Sequence, residues 1–331
     1  MIFGPIRLPK LRTVLALGAG TLLCLSAAAA AQAAPASKSA EARLHEAWRA
    51  SISSAALPGK GCFTATYPST AWTQVACTTA PDRPYAPAHG PVAGGGDDFA
   101  AGVSTPISSA VGSFPSITGL KSEKNIGVSD QYSLQLNTQY FTTSACSTSQ
   151  YPPQCDGWQQ FVYAQGGGKN GTSSAFMIYW AINYGPECPT GWNQYALNCW
   201  IASSAVAVPH QKLSALADLQ LSGTDASGGN DTVQLTTSSK AYAESGSDSV
   251  LGLAGSWKAT EYNVLGNGGG SQANFNTGTT ITVNVALTDG SKTAPTCRSG
   301  AIFTYETNNL NLGSCSGKTG KTPSITFTES N

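Results

Sequence analysis

The sequence predicts an all-β fold, an antiparallel sandwich of jelly-roll type, and three observations support this prediction. Short segments rich in β-branched and aromatic residues follow one another from about residue 99 to the C-terminus. Glycine, serine, asparagine and aspartate separate these segments at intervals of roughly 8–15 residues, as in sandwiches and barrels. A helical pattern of ordinary length is lacking beyond residue 100, apart from one turn at 211–217.

The chain begins with a segment that has the layout of a secretory signal peptide. Basic residues precede an apolar stretch over residues 13–30. Ala31-Gln32-Ala33 then matches the small-residue pattern at which signal peptidases cut. We predict that residues 1–33 are removed and that the protein is secreted, to an extracellular or periplasmic location. An uncleaved membrane anchor is the alternative, and after cleavage we expect no membrane association.

The cysteines indicate an oxidising compartment, because disulfides persist there and are rare in the cytoplasm. Cys24 lies in the apolar N-terminal stretch, which leaves eight of the nine cysteines for the mature chain. Eight cysteines allow about a hundred connectivities, and the sequence alone does not choose among them. We predict that each bonds its neighbour along the chain, in the pairs Cys62–Cys77, Cys146–Cys155, Cys188–Cys199 and Cys297–Cys315. A zinc site is not expected, because there is no C-x-x-C pair and the three histidines are isolated.

Residues 34–97 are expected to form an appendage before the sandwich, which we place at residues 98–331. A stripe of Leu44, Trp48 and Ile52 predicts a helix that a Pro-Gly pair ends. A disulfide-closed loop and a linker rich in proline and glycine follow. This appendage is either a strap that packs permanently on the sandwich or a pro-segment that is removed on activation.

The strands of the sandwich are predicted from alternation and composition. Apolar and polar side chains alternate strictly at 133–137 and at 280–287, so each of these strands has one buried face. Other segments are β-branched or aromatic and are bounded by turn residues. These predicted strands are 161–163, 176–184, 219–221, 232–235, 257–265, 301–305 and 324–328.

The low charge of the chain excludes one class of partner. Charged residues make up 11% of the sequence and the formal net charge is zero. Proteins that bind nucleic acid carry a basic patch or stripe, so we expect no nucleic-acid partner. A chain with so few charges has few ion pairs that protonation can break, and this composition therefore tolerates acid.

Amide and aromatic side chains on the predicted strands form a candidate ligand-binding face. Gln135 and Gln159 supply amides, and Tyr179, Trp180 and Tyr184 supply rings. Amides hydrogen-bond sugar hydroxyls or peptide backbone, and rings stack on apolar surfaces. This combination predicts a groove for an extracellular polymer, either a glycan or a peptide. The alternative is a solvated outer face.

Three short segments resemble the glutamic peptidases called eqolisins, which are secreted, acid-active enzymes on a concanavalin-like β-sandwich. Residues 133–137 resemble the strand that presents the catalytic glutamine, and residues 178–184 resemble the aromatic strand that carries the catalytic glutamate. Residues 260–264, followed by 273–276, are similar to the family's Ala-Glu-Trp-Ile-Val segment and the Ala-Asx-Phe after it. The resemblance covers about residues 92–331 and implies a concanavalin-like sandwich.

The resemblance also implies two catalytic residues. Gln135 matches the glutamine that holds the oxyanion. The glutamate that activates water would fall on Tyr179, which cannot act as a base at acid pH because the usual pKa of tyrosine is about 10. Glu261 is therefore the first candidate for the missing carboxylate, and a buried structural acid is the alternative reading of this residue.

Other chemistries find less support. The chain has no G-x-S-x-G elbow for a serine triad, and no spacing singles out two carboxylates for glycoside hydrolysis. Asp98, Asp225 and Asp231 could join a calcium site, but loop acids that cap turns are commoner. We therefore expect a secreted β-sandwich related to glutamic peptidases that binds an extracellular polymer and needs no cofactor. The alternatives are an acid endopeptidase and a structural envelope or matrix protein.

Overall fold

The computed structural model describes residues 40–86, 98–167, 171–299 and 304–331, and most of their regular structure is β-strand. The predicted signal peptide, Cys24, most of the predicted linker and part of the predicted strand 301–305 lie outside the described residues. The described residues all belong to one unit, Ala40–Asn331. Among them, no helix has the length and apolar character needed to cross a membrane.

The regular elements are one α-helix, four short 3-10 helices and twenty-two strands over the described parts of the chain. The helices are α1 (Ala40–Ser53) and the 3-10 segments Ser144–Thr148, Pro152–Gln154, Leu213–Asp218 and Asp248–Val250. The strands are β1 (Gly61–Thr66), β2 (Thr73–Val75), β3 (Thr78–Thr79), β4 (Ala100–Gly102), β5 (Ser109–Thr118), β6 (Glu123–Asn125), β7 (Val128–Ser129), β8 (Tyr132–Thr138), β9 (Asp156–Ala164), β10 (Ser173–Ile182), β11 (Asn193–Tyr195), β12 (Asn198–Val208), β13 (Gln220–Thr224), β14 (Asn230–Thr236), β15 (Lys240–Ser247), β16 (Ala259–Gly266), β17 (Gln272–Phe275), β18 (Thr280–Thr288), β19 (Thr296–Arg298), β20 (Thr307–Asn308), β21 (Asn311–Lys318) and β22 (Ser324–Ser330).

Two large antiparallel sheets make up the sandwich. Sheet 1 has the strand order β2-β1-β15-β14-β13-β5-β18-β22-β21. Sheet 2 has the order β11-β12-β10-β9-β8-β16-β4-β19, with β3 paired to β12. The remaining strands form a small sheet in the order β20-β17-β6-β7. The predicted all-β antiparallel sandwich is confirmed.

The core lies between the two sheets, and the residues buried in it show which side chains of sheet 2 face inward. Leu134 and Leu136 of β8 and Tyr262 of β16 are fully buried there, against Val283 and Val285 of sheet 1. Burying such a side chain contributes roughly 1.5–3 kcal/mol. Since side chains alternate along a strand, the polar residues between these apolar ones must point to the opposite face of sheet 2.

The predicted N-terminal helix is present as α1, and its segment is integrated into sheet 1. Trp48 and Ile52 are buried against Ala65 and Ala241, whereas Leu44 is 58% exposed. Strand β1 pairs with β15 over six residues, from Gly61 opposite Ser245 to Thr66 opposite Lys240. Residues 40–66 therefore supply both a strand next to the edge of sheet 1 and a helix that covers part of that sheet.

The four disulfides join the cysteine pairs predicted from the sequence. The Cα–Cα distances are 5.3 Å for Cys62–Cys77, 5.6 Å for Cys146–Cys155, 5.5 Å for Cys188–Cys199 and 6.2 Å for Cys297–Cys315. All four distances lie in the usual range for a disulfide. The nearest-neighbour pairing is confirmed.

Gly112 marks a point where the two sheets approach too closely for any side chain. A Cβ atom there would lie 2.0 Å from the ring of Tyr262, which is fully buried and has its ring centroid 5.1 Å from that of Phe114. We expect Gly112→Ala to destabilise the fold by about 1–3 kcal/mol through overpacking. Denaturant unfolding measures this change. Gly59→Ala is the control, because a Cβ at Gly59 meets nothing within 4 Å, and equal costs for both variants would contradict the prediction.

Candidate active site

The outward face of sheet 2 carries a cluster of carboxamide groups. Gln135 and Asn137 of β8 point away from the core, and their cross-strand neighbours are Val162 and Gln160 of β9. On the other side of β8, Asn137 lies opposite Glu261 of β16. Paired residues in an antiparallel ladder share a face. We call Gln135, Asn137, Gln160 and Glu261 the acid–amide face.

A chain of hydrogen bonds connects the members of this face. The side-chain amide of Asn137 donates to Glu261 Oε1 at 2.7 Å and to Gln135 Oε1 at 3.2 Å. The amide of Gln160 also donates to Gln135 Oε1, at 3.2 Å. The amide of Gln135 in turn donates to Ser133 Oγ at 3.0 Å. Gln135 and Glu261, the two predicted catalytic residues, are therefore one side chain apart.

Two further carboxyl groups lie beside the acid–amide face. Asp98 hydrogen-bonds Glu261. The amide of Gln135 donates to Glu306 Oε2 at 3.4 Å, and the backbone of Gly270 donates to Glu306 Oε1 at 2.9 Å. Asp98, Glu261 and Glu306 are all less than 2% exposed. Three carboxyl groups and three carboxamides are thus buried together on one side of sheet 2.

Burial keeps protons on these acids. It is the largest cause that raises the pKa of Glu261 well above the ordinary value, and the negative charge of Asp98 adds to it. Burial also raises the pKa of Glu306 to about 7. A carboxylate beside a buried carboxyl group makes ionisation of that group harder, so Glu261 holds its proton above its ordinary pKa range.

Aromatic rings continue the acid–amide face along sheet 2. Trp180 of β10 lies 6.0 Å from Trp158 and 6.0 Å from Trp200, measured between ring centroids. The indole nitrogen of Trp180 donates to Gln160 Oε1 at 3.0 Å. We call Trp158, Trp180 and Trp200 the aromatic wall, and this hydrogen bond connects it to the amide groups. A ligand with both polar and apolar parts would need such a combination.

Residues 80–86, which we call the covering segment, lie over this face. Ala80, Tyr85 and Ala86 are buried in the same cluster as Trp158 and Trp180. The Tyr85 hydroxyl donates to the side chain of Asn267. The backbone of Gly269 donates to Pro84 O at 3.0 Å, and that of Tyr305 donates to Ala86 O at 3.0 Å. These contacts exclude solvent from the face.

A groove of about 1010 Å³ runs beside the covering segment. It is lined by residues 78–83 on one side and by Trp200 to Ser204 of β12 on the other. Trp200 belongs both to this groove and to the aromatic wall. The groove therefore reaches from the surface to the edge of the covered face.

The predicted ligand-binding residues do not share one face, and this part of the sequence prediction is wrong. Gln159 and Tyr179 point into the space between the sheets, where the amide of Gln159 donates to Asp231 Oδ2 at 2.8 Å. Tyr184 lies beyond the end of β10, and its hydroxyl hydrogen-bonds Thr148 Oγ1 at 2.8 Å. Trp180 alone lies on the acid–amide side. The physical reason is the period of two along a strand, which sends neighbours such as Gln159 and Gln160 to opposite faces.

A second group of acids lies between the sheets, and we call Asp231 and Glu244 the interior acid pair. Ser203 Oγ donates to Glu244 Oε2 at 2.8 Å. Burial is the main cause that raises the pKa of Glu244 to about 8 and that of Asp231 to about 7. Ser203 also lines the groove beside the covering segment, so Glu244 lies one side chain away from that groove.

No metal centre is found in the part of the chain that the structure describes. Within it, no group of three or more histidine, cysteine, aspartate or glutamate side chains is placed to hold an ion. Asp98, Asp225 and Asp231, the calcium candidates, do not form such a group. Asp98 contacts Glu261 instead.

The sequence did not single out Asn137, Gln160 or Glu306 as catalytic residues, and it gave Asp98 only as a calcium candidate. The strand alternation that singled out Gln135 also indicates Asn137, which is two residues further on the same face. Gln160 follows from the pairing of β8 with β9. Asp98 and Glu306 carry no such signal, because only the fold brings these residues to β16 and β8.

Comparison with known proteins adds little to this geometry. No protein-family model matches the chain, and no curated protein matches it either. A crystal structure of scytalido-glutamic peptidase with a peptide-based transition state analog is similar to this chain, with 14% sequence identity and a TM-score of 0.31. The match covers 69% of this chain and 97% of that one. A likeness of this degree does not show the function of this chain.

Proposed function

We propose that this protein is an exported, acid-active hydrolase that cleaves peptide bonds with the carboxyl pair Asp98–Glu261. The observation that supports this proposal best is the buried contact of Glu261 with Asp98, which raises the pKa of Glu261 and is joined through Asn137 to the amide of Gln135. A general acid, a general base and an oxyanion donor are the three groups that hydrolysis of an amide needs. All three are supplied by one face of sheet 2.

The proposed reaction uses the single proton that the carboxyl pair holds at acid pH. The ionised member takes a proton from water as the water oxygen attacks the peptide carbonyl carbon. One N–H of the Gln135 amide leaves Glu306 Oε2, which lies 3.4 Å away, and donates instead to the carbonyl oxygen, on which negative charge develops. The C–N bond then breaks, and the protonated member gives its proton to the leaving amine. Both carboxyl groups ionise as the pH rises, so the general acid is lost and activity falls.

The covering segment must move before a substrate can reach this face. Tyr85 is fully buried, and its ring centroid lies 6.1 Å from that of Phe176. Arg83 donates to Asn267 O at 2.8 Å, which holds the same stretch to the loop after β16. The groove along residues 78–83 lets substrate approach the edge of the segment. We therefore expect low activity in the covered state and higher activity when the segment is loosened.

The test is cleavage of a denatured protein by the purified chain and by Tyr85→Ala, from about pH 2 to pH 8. We expect cleavage at acid pH only, and at least a severalfold faster rate for Tyr85→Ala, because loss of the ring opens the covered face. Tyr151→Ala is the matched control, since Tyr151 is 40% exposed and lies outside the covering segment. Absence of cleavage by all three proteins at every pH would leave a binding or structural protein.

A further inference from the structure

The outward face of sheet 1 carries mainly uncharged polar side chains. The strands β5, β13, β14 and β18 alternate, so that apolar residues point into the core and serines, threonines and amides point outward. One row of side chains crosses five neighbouring strands and consists of hydroxyl residues alone. This hydroxyl row is Ser245, Thr232, Thr224, Ser109 and Thr288.

The neighbouring row of outward side chains is also uncharged. Ser222 of β13 lies opposite Gln234 on one side and Val111 on the other, and Val111 lies opposite Ala286. Adjacent strands of a sheet are about 4.8 Å apart, so the two rows present polar groups and methyl groups at regular intervals. Hydrogen-bonding groups and methyl groups thus alternate across this face of the sheet.

Helix α1 turns this face into a groove. Trp48 and Ile52 anchor the helix on the outward side of β15, and Glu46, Ala50 and Ser53 form a wall. The resulting cavity has a volume of about 870 Å³. Of the described residues that line it, only Glu46 and Asp225 carry charge, and none has an aromatic ring.

Two serine side chains lie low in the groove. Ser222 and Ser245 are 4% and 2% exposed, and both residues line the groove. Their hydroxyl oxygens stay accessible from the groove, where water or a ligand that carries hydroxyl groups can hydrogen-bond them.

We infer that this groove binds a neutral polysaccharide. Regular hydroxyls and amides match the hydroxyls of a sugar chain, and methyl groups such as those of Val111 and Ala286 match its apolar ring faces. An acidic polymer would find no opposite charge among the described lining residues, and a basic polymer would find only Glu46 and Asp225. A peptide would need apolar pockets or a free strand edge, and the centre of a sheet offers neither. This site is independent of the acid–amide face and would hold the protein on a glycan surface.

The test is electrophoresis of the full-length chain through gels that contain a soluble neutral glucan, in parallel with gels that contain polygalacturonate or denatured protein. We expect the neutral glucan to retard the chain. Thr224→Trp, which fills the centre of the hydroxyl row, should weaken binding at least tenfold. Thr282→Trp is the matched control: Thr282 is also half-buried on the outward side of sheet 1 but does not line the groove.

Each outcome decides the proposal. Retardation by a neutral glucan that Thr224→Trp abolishes and Thr282→Trp preserves supports it. Retardation by polygalacturonate or denatured protein alone, equal retardation of both variants, or no retardation in gels of several neutral glucans overturns it. Binding is measured near neutral pH with Glu261→Gln in parallel, so that loss of the proposed peptidase leaves this result unchanged.

Discussion

Replacing Glu261 with glutamine is expected to lower the rate of peptide cleavage at acid pH by about 10²–10⁴-fold, the usual contribution of a general acid or base. Glutamine retains an oxygen that can accept from Asn137, as Glu261 Oε1 does at 2.7 Å. The fold should therefore persist while the carboxyl group beside Asp98 is lost. The measurement is the cleavage rate of a denatured protein by Glu261→Gln in the Tyr85→Ala background, where the face is open.

Gln135→Ala tests the other half of the same site. Loss of an oxyanion donor costs about 10²–10³-fold in rate, and the pH at which activity falls should stay unchanged because the carboxyl pair remains. Glu244→Gln is the matched control: Glu244 is a buried acid with a raised pKa, but it lies between the sheets. If Glu261→Gln retains full activity at acid pH, or Glu244→Gln loses as much, the carboxyl pair is not the catalytic centre.

The second large effect concerns the pH dependence of stability. We expect the free energy of unfolding to be greatest near pH 4 and to fall by at least about 3 kcal/mol between pH 4 and pH 8. Burial raises the pKa of Glu306 to about 7, of Asp231 to about 7 and of Glu244 to about 8. In the unfolded chain the same groups ionise near pH 4.

The sign follows from the protons that each state binds. Between about pH 4 and pH 7–8 the folded protein holds protons that the unfolded chain has released, so raising the pH favours unfolding. The stabilisation is complete below the pKa of the unfolded chain. It is lost progressively as the pH rises through the pKa of the folded protein. A protein with this profile is suited to acid surroundings.

Glu244→Gln isolates one of these groups. The pKa of Glu244 is raised from 4.5 to about 8, and one pKa unit corresponds to about 1.4 kcal/mol. This variant should therefore be more stable than the parent at pH 8 by about 4 kcal/mol and equal to it near pH 4. Denaturant unfolding at both pH values measures the difference. A parent protein whose stability rises from pH 4 to pH 8 would contradict the assignment.

Asp289 provides a control of opposite sign. Burial alone would raise its pKa, but hydrogen bonds from Thr105 and Ser291 outweigh burial and lower it. A group with a lowered pKa stabilises the fold above the unfolded pKa, and this contribution is lost on acidification. Asp289→Asn should therefore destabilise the protein at neutral pH and have less effect at low pH.

Local patterns were sufficient to predict much of the fold. Alternation from Ser133 to Asn137 predicted β8 and the face on which Gln135 lies, because a strand has a period of two. The order of the cysteines predicted the pairing, since each pair closes a short loop. The stripe of Trp48 and Ile52 predicted α1, although Leu44 of the same stripe is exposed.

The prediction of the site was inaccurate where it depended on the end of a strand or on the register between two strands. Tyr184 was assigned to the strand that ends at Ile182, so its ring was placed on the wrong surface. Gln159 was assigned to the face of Gln135, whereas the register opposite β8 puts Gln160 there. A shift of one residue reverses the face of every side chain, and register depends on contacts with other strands.

The sequence by itself determined the fold class, because that depends on residue types and their period along the chain. It also predicted the nearest-neighbour disulfide pairing, and the resemblance of short segments to the eqolisins gave the two central candidates, Gln135 and Glu261. Tertiary structure alone decided that Asp98 lies beside Glu261 and that Glu306 lies against Gln135. It also decided that the covering segment closes this face, while the polar face of sheet 1 stays open beside α1. These contacts join residues far apart in the chain, and their proximity results from how the two sheets and the leading segment pack, which no local pattern encodes.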